Sequence, residues 1–322
     1  MRKELLRKIE EALAAVPCSA QPEGLYGPVG YVLSSGGKRV RPMLMLLAYG
    51  LYRDDYEAIL PAAVGLEIYH NHTLLHDDLM DRADMRHGRP TVHRRWDDNT
   101  AVLSGDVMLI MAFRHVMQAR CGAPGALLGL FARTAEEICR GQQYDVDFER
   151  RTEVTEDEYL EMIRLKTSVL LACAAAMGAM GAGAPEPEVD MIYRFAERIG
   201  LAFQVQDDYL DVYGDAAVFG KKIGGDILCG KKTFLLAWAL ERADAATRAE
   251  LLALLADRGM EDGEEIARVT ALYGRLDMAA CCRRKIESCF GEARALLAAL
   301  PCAEERKAPL AAFAESLLGR KS

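Results

Sequence analysis

The chain has 322 residues, 51% hydrophobic and 27% charged, a composition that suits a globular protein with a substantial core. Its net charge of −8 argues against broad nucleic-acid binding, which needs a basic surface, while leaving room for a local basic pocket. Nine cysteines with no CxxC pair read as small buried hydrophobes in a reducing, cytoplasmic setting rather than as a zinc or disulfide framework.

The first eighteen residues, "MRKELLRKIEEALAAVPC", space Leu5, Leu6, Ile9, Leu13 and Val16 as a helix does. Acidic residues interrupt them, so the spacing predicts an amphipathic helix and not a signal peptide. "GGKRVRP" (36–42) sets Lys38, Arg39 and Arg41 behind a double glycine. "EIYHNHTLLHDDLMD" (67–81) then carries Asp77, Asp78 and Asp81 out of an apolar helical stretch with Leu74, Leu75 and Leu79. "MRHGRP" (85–90) supplies more cations within ten residues. "RLKTS" (164–168) places Lys166 and Thr167 at the head of an Ala-rich helix, whose uncharged run 168–184 predicts a close-packed core helix rather than a membrane span. The stretch 192–212 has a helical stripe through Ile192, Phe195, Ile199, Ala202, Phe203 and Leu210, and it delivers a second acidic cluster, "DDYLD" (207–211). "FGKKIGGDILCGKKT" (219–233) follows with two lysine pairs among glycines. Breaks at 122–126, 181–188, 214–232, 257–265 and 300–309 are too short to be interdomain linkers. The expectation is one all-α domain over 1–322, a single large helical bundle of ten or more helices.

The two acidic clusters share a form. On a helix, Asp77 and Asp81 stand on one face about 5–6 Å apart, as do Asp207 and Asp211, and like charges so placed destabilise a helix unless something neutralises them. Hard divalent cations do so through oxygen ligands, and magnesium typically combines one or two carboxylates with phosphates and water. His72 and His76 also stand four apart, but "HTLLH" lacks the Glu of a zinc protease, and an oxygen-rich setting favours magnesium. The dispersed lysines and arginines suggest a phosphorylated ligand, yet no glycine run is a GxxxxGK[ST] nucleotide loop.

In this order the motifs "GGKRVRP", "EIYHNHTLLHDDLMD", "GRPTVH", "SGD", "GQQYD", "KTS", "FQVQDDYLDVYGD", "GKKIGGDI" and "GKKT" resemble the head-to-tail trans-isoprenyl diphosphate synthases, the polyprenyl synthetase family, over about residues 36–233. The resemblance implies the isoprenoid synthase fold, usually as a homodimer, with the two Asp-rich motifs facing a central cavity. It implies that Asp77 and Asp81, supported by Asp78, hold two Mg²⁺ on an allylic diphosphate, and that Asp207, with Asp208 and Asp211, holds a third. Arg86, Lys166, Lys221 and Lys231 match positions that grip the allylic diphosphate. Lys38, Arg41, His70 and His87 match the isopentenyl diphosphate site, and Thr167 and Gln204 match residues whose oxygens face a developing carbocation. Tyr69 and His72 match the floor of the chain-elongation tunnel, which suggests C15 to C20 products.

One departure stands out. Arg86 is followed by His87 where the family usually has a second arginine, and a histidine with a reference pKa of about 6.5 carries full charge only part of the time at neutral pH. That substitution is the one feature favouring a non-catalytic subunit. A class I terpene cyclase is the other alternative, but "DDYLD" does not match its Asn/Ser/Glu pattern.

Overall fold

The computed structural model describes residues 1–215, 223–257 and 259–319. Helix follows helix, as expected, and the described residues contain a single two-stranded hairpin. The chain divides into two compact units, each drawn from separate stretches of sequence. The first takes Met1–Ala132, Cys173–Ile192 and Cys302–Leu310; the second takes Arg133–Ala172, Tyr193–Pro301 and the chain from Ala311.

In the first unit, α1 (Arg2–Ala14) buries Leu5, Ile9 and Leu13, as its spacing predicts, while Leu6 faces out. Then come α2 (Glu23–Leu33), α3 (Val40–Tyr49) and α4 (Leu60–Met80). Every residue from Ala62 to Tyr69 is buried, so this half of α4 is a core helix apolar nearly all round. Its other half carries the acidic cluster. Against it lies α6 (Asp98–Val116), which Asp97 caps by accepting the Thr100 amide at 2.8 Å. The two helices meet closely where α6 has Gly105: a Cβ there would lie 2.0 Å from His76 Nε2. In the chain between these helices, β1 (Met85–Arg86) and β2 (Arg89–Pro90) pair antiparallel. Their two-residue turn, His87-Gly88, has φ of 50° and 73°, the double positive φ that matches a strand twist and that glycine adopts freely. A four-residue helix, α5 (Val92–Arg95), leads into α6.

The helix α7 (Pro124–Glu149) contributes its later part to the second unit. Thr155 and Glu158 form a reciprocal capping box that starts α8 (Glu156–Ile163). One turn of π-helix, Arg164–Ser168, joins it to α9 (Val169–Gly181), so "RLKTS" is a bulge inside a continuing helix rather than the head of one. The run Glu156–Gly181 is long and apolar enough to cross a membrane by length and composition. However, 83% of its most apolar window is buried within the protein, as a core helix requires. The chain continues through α10 (Glu186–Tyr213), α11 (Gly225–Leu228) and α12 (Phe234–Arg242) to α13 (Ala245–Ala256), α14 (Asp262–Arg275), α15 (Met278–Ala299) and α16 (Glu304–Leu318). The second unit's core gathers Phe148, Tyr159, Leu201, Val205, Phe234 and Tyr273. It takes in Cys281, Cys282 and Cys289 as free thiols, and burial pushes all three up from the ordinary thiol range.

Candidate active site

Asp77 and Asp78 lie in the last turn of α4, Asp81 is its C-cap, and no basic residue occupies that turn. The carbonyl end of a helix carries partial negative charge, so each carboxylate there is disfavoured by a few tenths to about 1 kcal/mol unless a cation answers it. Asp77 is half-buried and Asp81 exposed, whereas Asp78 points inward with 5% exposure. Asp78 is clamped by Arg86, whose Nε lies 2.8 and 2.9 Å from its two oxygens and whose Nη2 lies 2.7 Å from Oδ1. Burial pushes the Asp78 carboxyl up while Arg86 pulls it down. Burial works against the Arg86 charge, but Asp78, then Asp77 and Asp81, raise its pKa overall. Arg86 is thereby fixed beside the cluster, with Nη1 making no hydrogen bond among the described residues.

Behind this cluster the first unit builds a basic pocket. Arg41 makes no hydrogen bond among the described residues, and its Nε is buried without a partner. Burial lowers its guanidinium to about 10, with Glu67 opposing. A buried N–H donor left unsatisfied is costly on its own, and an anionic ligand could accept from it. His70 is pushed well below its ordinary value, first by burial and then by Arg41, Arg86, His87 and Arg39, so it is neutral and surrounded by cations. Lys38 and His87 are exposed on the loop and hairpin of the same unit. Of the residues matched to the isopentenyl diphosphate site, Arg41, His70 and His87 are therefore near enough to interact electrostatically, with Arg39 and Arg86 beside them.

The second cluster sits in the last two turns of α10, again with no basic residue in the final turn. Asp207 is half-buried. Asp208 is 4% exposed and holds an inward network: Tyr159 Oη donates to Oδ2, the Phe234 amide donates to Oδ2 at 2.9 Å, and Gln204 Nε2 donates to Oδ1 at 3.3 Å. Burial and Asp226 push Asp208 up to about 7 against these donors. The sequence grouped Asp78 and Asp208 with the metal ligands, and in this structure both accept from protein donors instead. Both carboxylates are committed to protein donors because they lie about 100° round the helix from their neighbours Asp77 and Asp207. Asp211 is also largely buried, and its Oδ2 accepts the Asp226 amide at 3.0 Å.

The same network orients the predicted cation-facing oxygens. With Gln204 Nε2 on Asp208, its Oε1 is turned to Thr167, whose Oγ1 donates to it at 3.3 Å. Thr167 and Lys166 belong to the π turn, and Lys166 Nζ rests 2.6 Å from Asp145 of "GQQYD". The turn is held close by two glycines. A Cβ on Gly141 of α7 would lie 2.4 Å from Lys166 N, and one on Gly200 of α10 would lie 2.7 Å from Ser168 Cα. Lys231 is exposed just ahead of α12, where Thr233 caps the helix through the Leu236 amide. Lys221 lies outside the described residues. Nothing in the sequence pointed to Tyr159, and Asp226 stood inside the quoted "GKKIGGDI" without an assigned role. Asp145, Gly141 and Glu67 stood inside quoted motifs without an assigned role.

Tyr69 and His72 are brought together as expected, with ring centroids 5.5 Å apart. The structure adds Phe131 of α7, edge-on to Tyr69 at 5.1 Å, and Phe113 of α6, 4.7 Å from Phe131. His72 Nδ1 lies 2.9 Å from the Gly105 carbonyl. Burial, then neighbouring His76, lowers His72 to about 4.

Among the described residues no three His, Cys, Asp or Glu side chains converge as a closed metal site. Zinc in structural sites takes four protein ligands, whereas magnesium keeps waters and takes one or two carboxylates with phosphate oxygens. Pairs such as Asp77 and Asp81, standing where the helix end disfavours them, fit the second pattern.

The described residues thus form an all-helical protein with carboxylates at the ends of two helices and, in the first unit, arginines gathered near His70. Residues 22–273 match the polyprenyl synthetase family model. The chain is 40% identical over 263 residues to a short chain isoprenyl diphosphate synthase of Methanocaldococcus jannaschii, covering 81% of this chain and 80% of that one. It is 41% identical over 224 residues to a geranylgeranyl diphosphate synthase of Methanosarcina mazei, covering 69% of each. A crystal structure of geranylgeranyl pyrophosphate synthase superposes with a TM-score of 0.93 at 43% identity, over 100% of this chain and 99% of that one. The chain belongs to the polyprenyl synthetase family and has its all-helical isoprenoid synthase fold.

Proposed function

We propose that this protein is a head-to-tail trans-prenyltransferase that joins isopentenyl diphosphate to an allylic diphosphate and releases C15 to C20 prenyl diphosphates. The observation that carries this is the placement of both acidic clusters at the negative ends of their helices, without basic residues in the last turn, in a chain that also buries the Nε of Arg41 without a hydrogen-bond partner. In the proposed roles Asp77, Asp81 and Asp207 hold magnesium, three ions per site. Bound there, the metal would supply positive charge to the departing diphosphate.

The chain's own groups then have defined tasks. Arg86, Lys166 and Lys231, with Lys221, bind the allylic diphosphate and stabilise the charge gathering on its leaving oxygen. Lys38, Arg41, His70 and His87 hold isopentenyl diphosphate. The allylic C–O bond breaks, and the isopentenyl double bond supplies the electrons for the new C–C bond. The proton then lost goes to the released diphosphate. The oxygens of Thr167 and Gln204 face the positive charge, and apolar walls exclude water. Tyr69 and His72 limit chain growth.

The same proposal places the enzyme in the cytoplasm as a homodimer. Leu103 and Ile110 of α6 and its C-cap Met117, exposed at seven-residue spacing, give a second copy an apolar stripe to cover.

The test is to incubate purified protein with Mg²⁺, isopentenyl diphosphate and dimethylallyl, geranyl or farnesyl diphosphate, then size the products. Linear C15 to C20 diphosphates, with one inorganic diphosphate per condensation, are expected. Cyclic hydrocarbons, or untouched substrates, would overturn the assignment.

A further inference from the structure

Arg39 has φ 47° and ψ 43°, the left-handed region that costs a non-glycine residue roughly 1–2 kcal/mol. It is also 3% exposed. Three helices, α1, α2 and α4, hold it there. Its Nε donates to Glu10 Oε1 at 2.9 Å and Nη2 to Glu10 Oε2 at 3.4 Å. Nη1 donates to Glu67 Oε1 at 3.0 Å, and Nη2 also donates to the Leu33 carbonyl at 3.1 Å. The Arg39 carbonyl in turn accepts from the Met43 amide and so begins α3. Lys38 precedes this residue and Arg41 follows it in the first turn of α3, so the unusual backbone at Arg39 sets how the loop carrying Lys38 meets the helix carrying Arg41.

Charge balance depends on Glu10 as well. Glu67 is 3% exposed, and it is the carboxylate that offsets the burial of Arg41. With Glu10 in place, two carboxylates serve the two guanidiniums. Without it, Glu67 alone faces both, and Arg39 loses its Nε partner in a buried setting. We infer that Glu10, on the N-terminal helix, is a positioning residue for the isopentenyl diphosphate subsite. It acts through Arg39 to hold Lys38 and Arg41, and this rests on the function proposed above. Its own side chain is 45% exposed, so its loss leaves the core of α1, namely Leu5, Ile9 and Leu13, intact.

Steady-state kinetics with each diphosphate varied in turn test this on Glu10→Ala and Glu10→Gln. Glu11→Ala serves as a control, since that neighbouring carboxylate pairs with exposed Arg7. Glu10→Ala is expected to raise KM for isopentenyl diphosphate about tenfold. KM for the allylic substrate and kcat should stay within twofold, with Glu10→Gln intermediate because it keeps a hydrogen-bond acceptor for Nε. An unchanged KM for isopentenyl diphosphate, or an equal rise in both KM values, overturns the inference. If Glu10→Ala does not fold, Glu10→Gln decides the matter by the same two readings. A wild-type protein that condenses nothing sinks the proposed function itself and this inference with it. An active wild type beside an unmoved Glu10→Ala sinks the inference alone.

Discussion

Replacing Gly141 by alanine should disable catalysis through a methyl group that touches no substrate. The added Cβ would lie 2.4 Å from Lys166 N, 2.7 Å from Leu165 C and 2.8 Å from Lys166 Cα. All three are backbone atoms and cannot swing aside as a side-chain tip does. Reaching an ordinary contact of 3.4 Å requires the π turn to retreat by about 1 Å, carrying Lys166 and Thr167 with it. A misplacement of that size costs on the order of 100-fold in rate, and the overpacking itself about 1–3 kcal/mol of stability. The assay is kcat at saturating concentrations of both diphosphates, with thermal unfolding alongside and Gly122→Ala as control, since nothing lies within 4 Å of a Cβ at Gly122. A Gly141→Ala protein with kcat within threefold of wild type would show that the π turn does not position the catalytic groups.

Tyr159→Phe leaves the buried Asp208 carboxylate one donor short, and urea denaturation should show a loss of about 1–3 kcal/mol. The variant should also lose several-fold in kcat, because Gln204 is steered by the same carboxylate. His72 supplies a pH dependence. Its folded pKa of about 4 lies below the unfolded value of 6.5, so the stability it confers is complete above about pH 6.5 and is lost as pH falls toward 4. The loss amounts to about 3 kcal/mol at the acid end, and His72→Gln should flatten that part of the stability profile; identical acid slopes in the two proteins would refute this. Replacing Tyr69 and His72 together by alanine opens the aromatic cluster and should lengthen the product by at least one five-carbon unit, read by chromatography of the dephosphorylated alcohols.

Much of this site was visible in the sequence because its chemistry is local. The four-residue spacing of Asp77 and Asp81 fixes a shared helix face, and double glycines before lysine and arginine mark a turn that presents basic side chains. What could not be read depends on partners distant in sequence. Asp208 and Asp207 look alike in "DDYLD", and only Tyr159, 49 residues earlier, and the start of α12 turn one of them into an internal anchor. The π turn at "RLKTS" arises where Gly141 and Gly200 let two helices press on it, and no periodicity encodes that. Glu10 seemed merely one polar residue of an amphipathic helix until its partner Arg39 was seen in a left-handed conformation. The division into two units also left no trace, because each is assembled from interleaved stretches without a linker.

Calorimetric titration of the protein with inorganic diphosphate most directly tests whether the carboxylates act by bridging a phosphorylated ligand through a divalent cation. Tight binding is predicted with Mg²⁺ present, and very weak binding with the metal chelated. Asp81→Asn and Asp207→Asn should each bind at least tenfold more weakly in Mg²⁺. Equal affinity with and without Mg²⁺, or variants that bind as wild type does, would contradict the account.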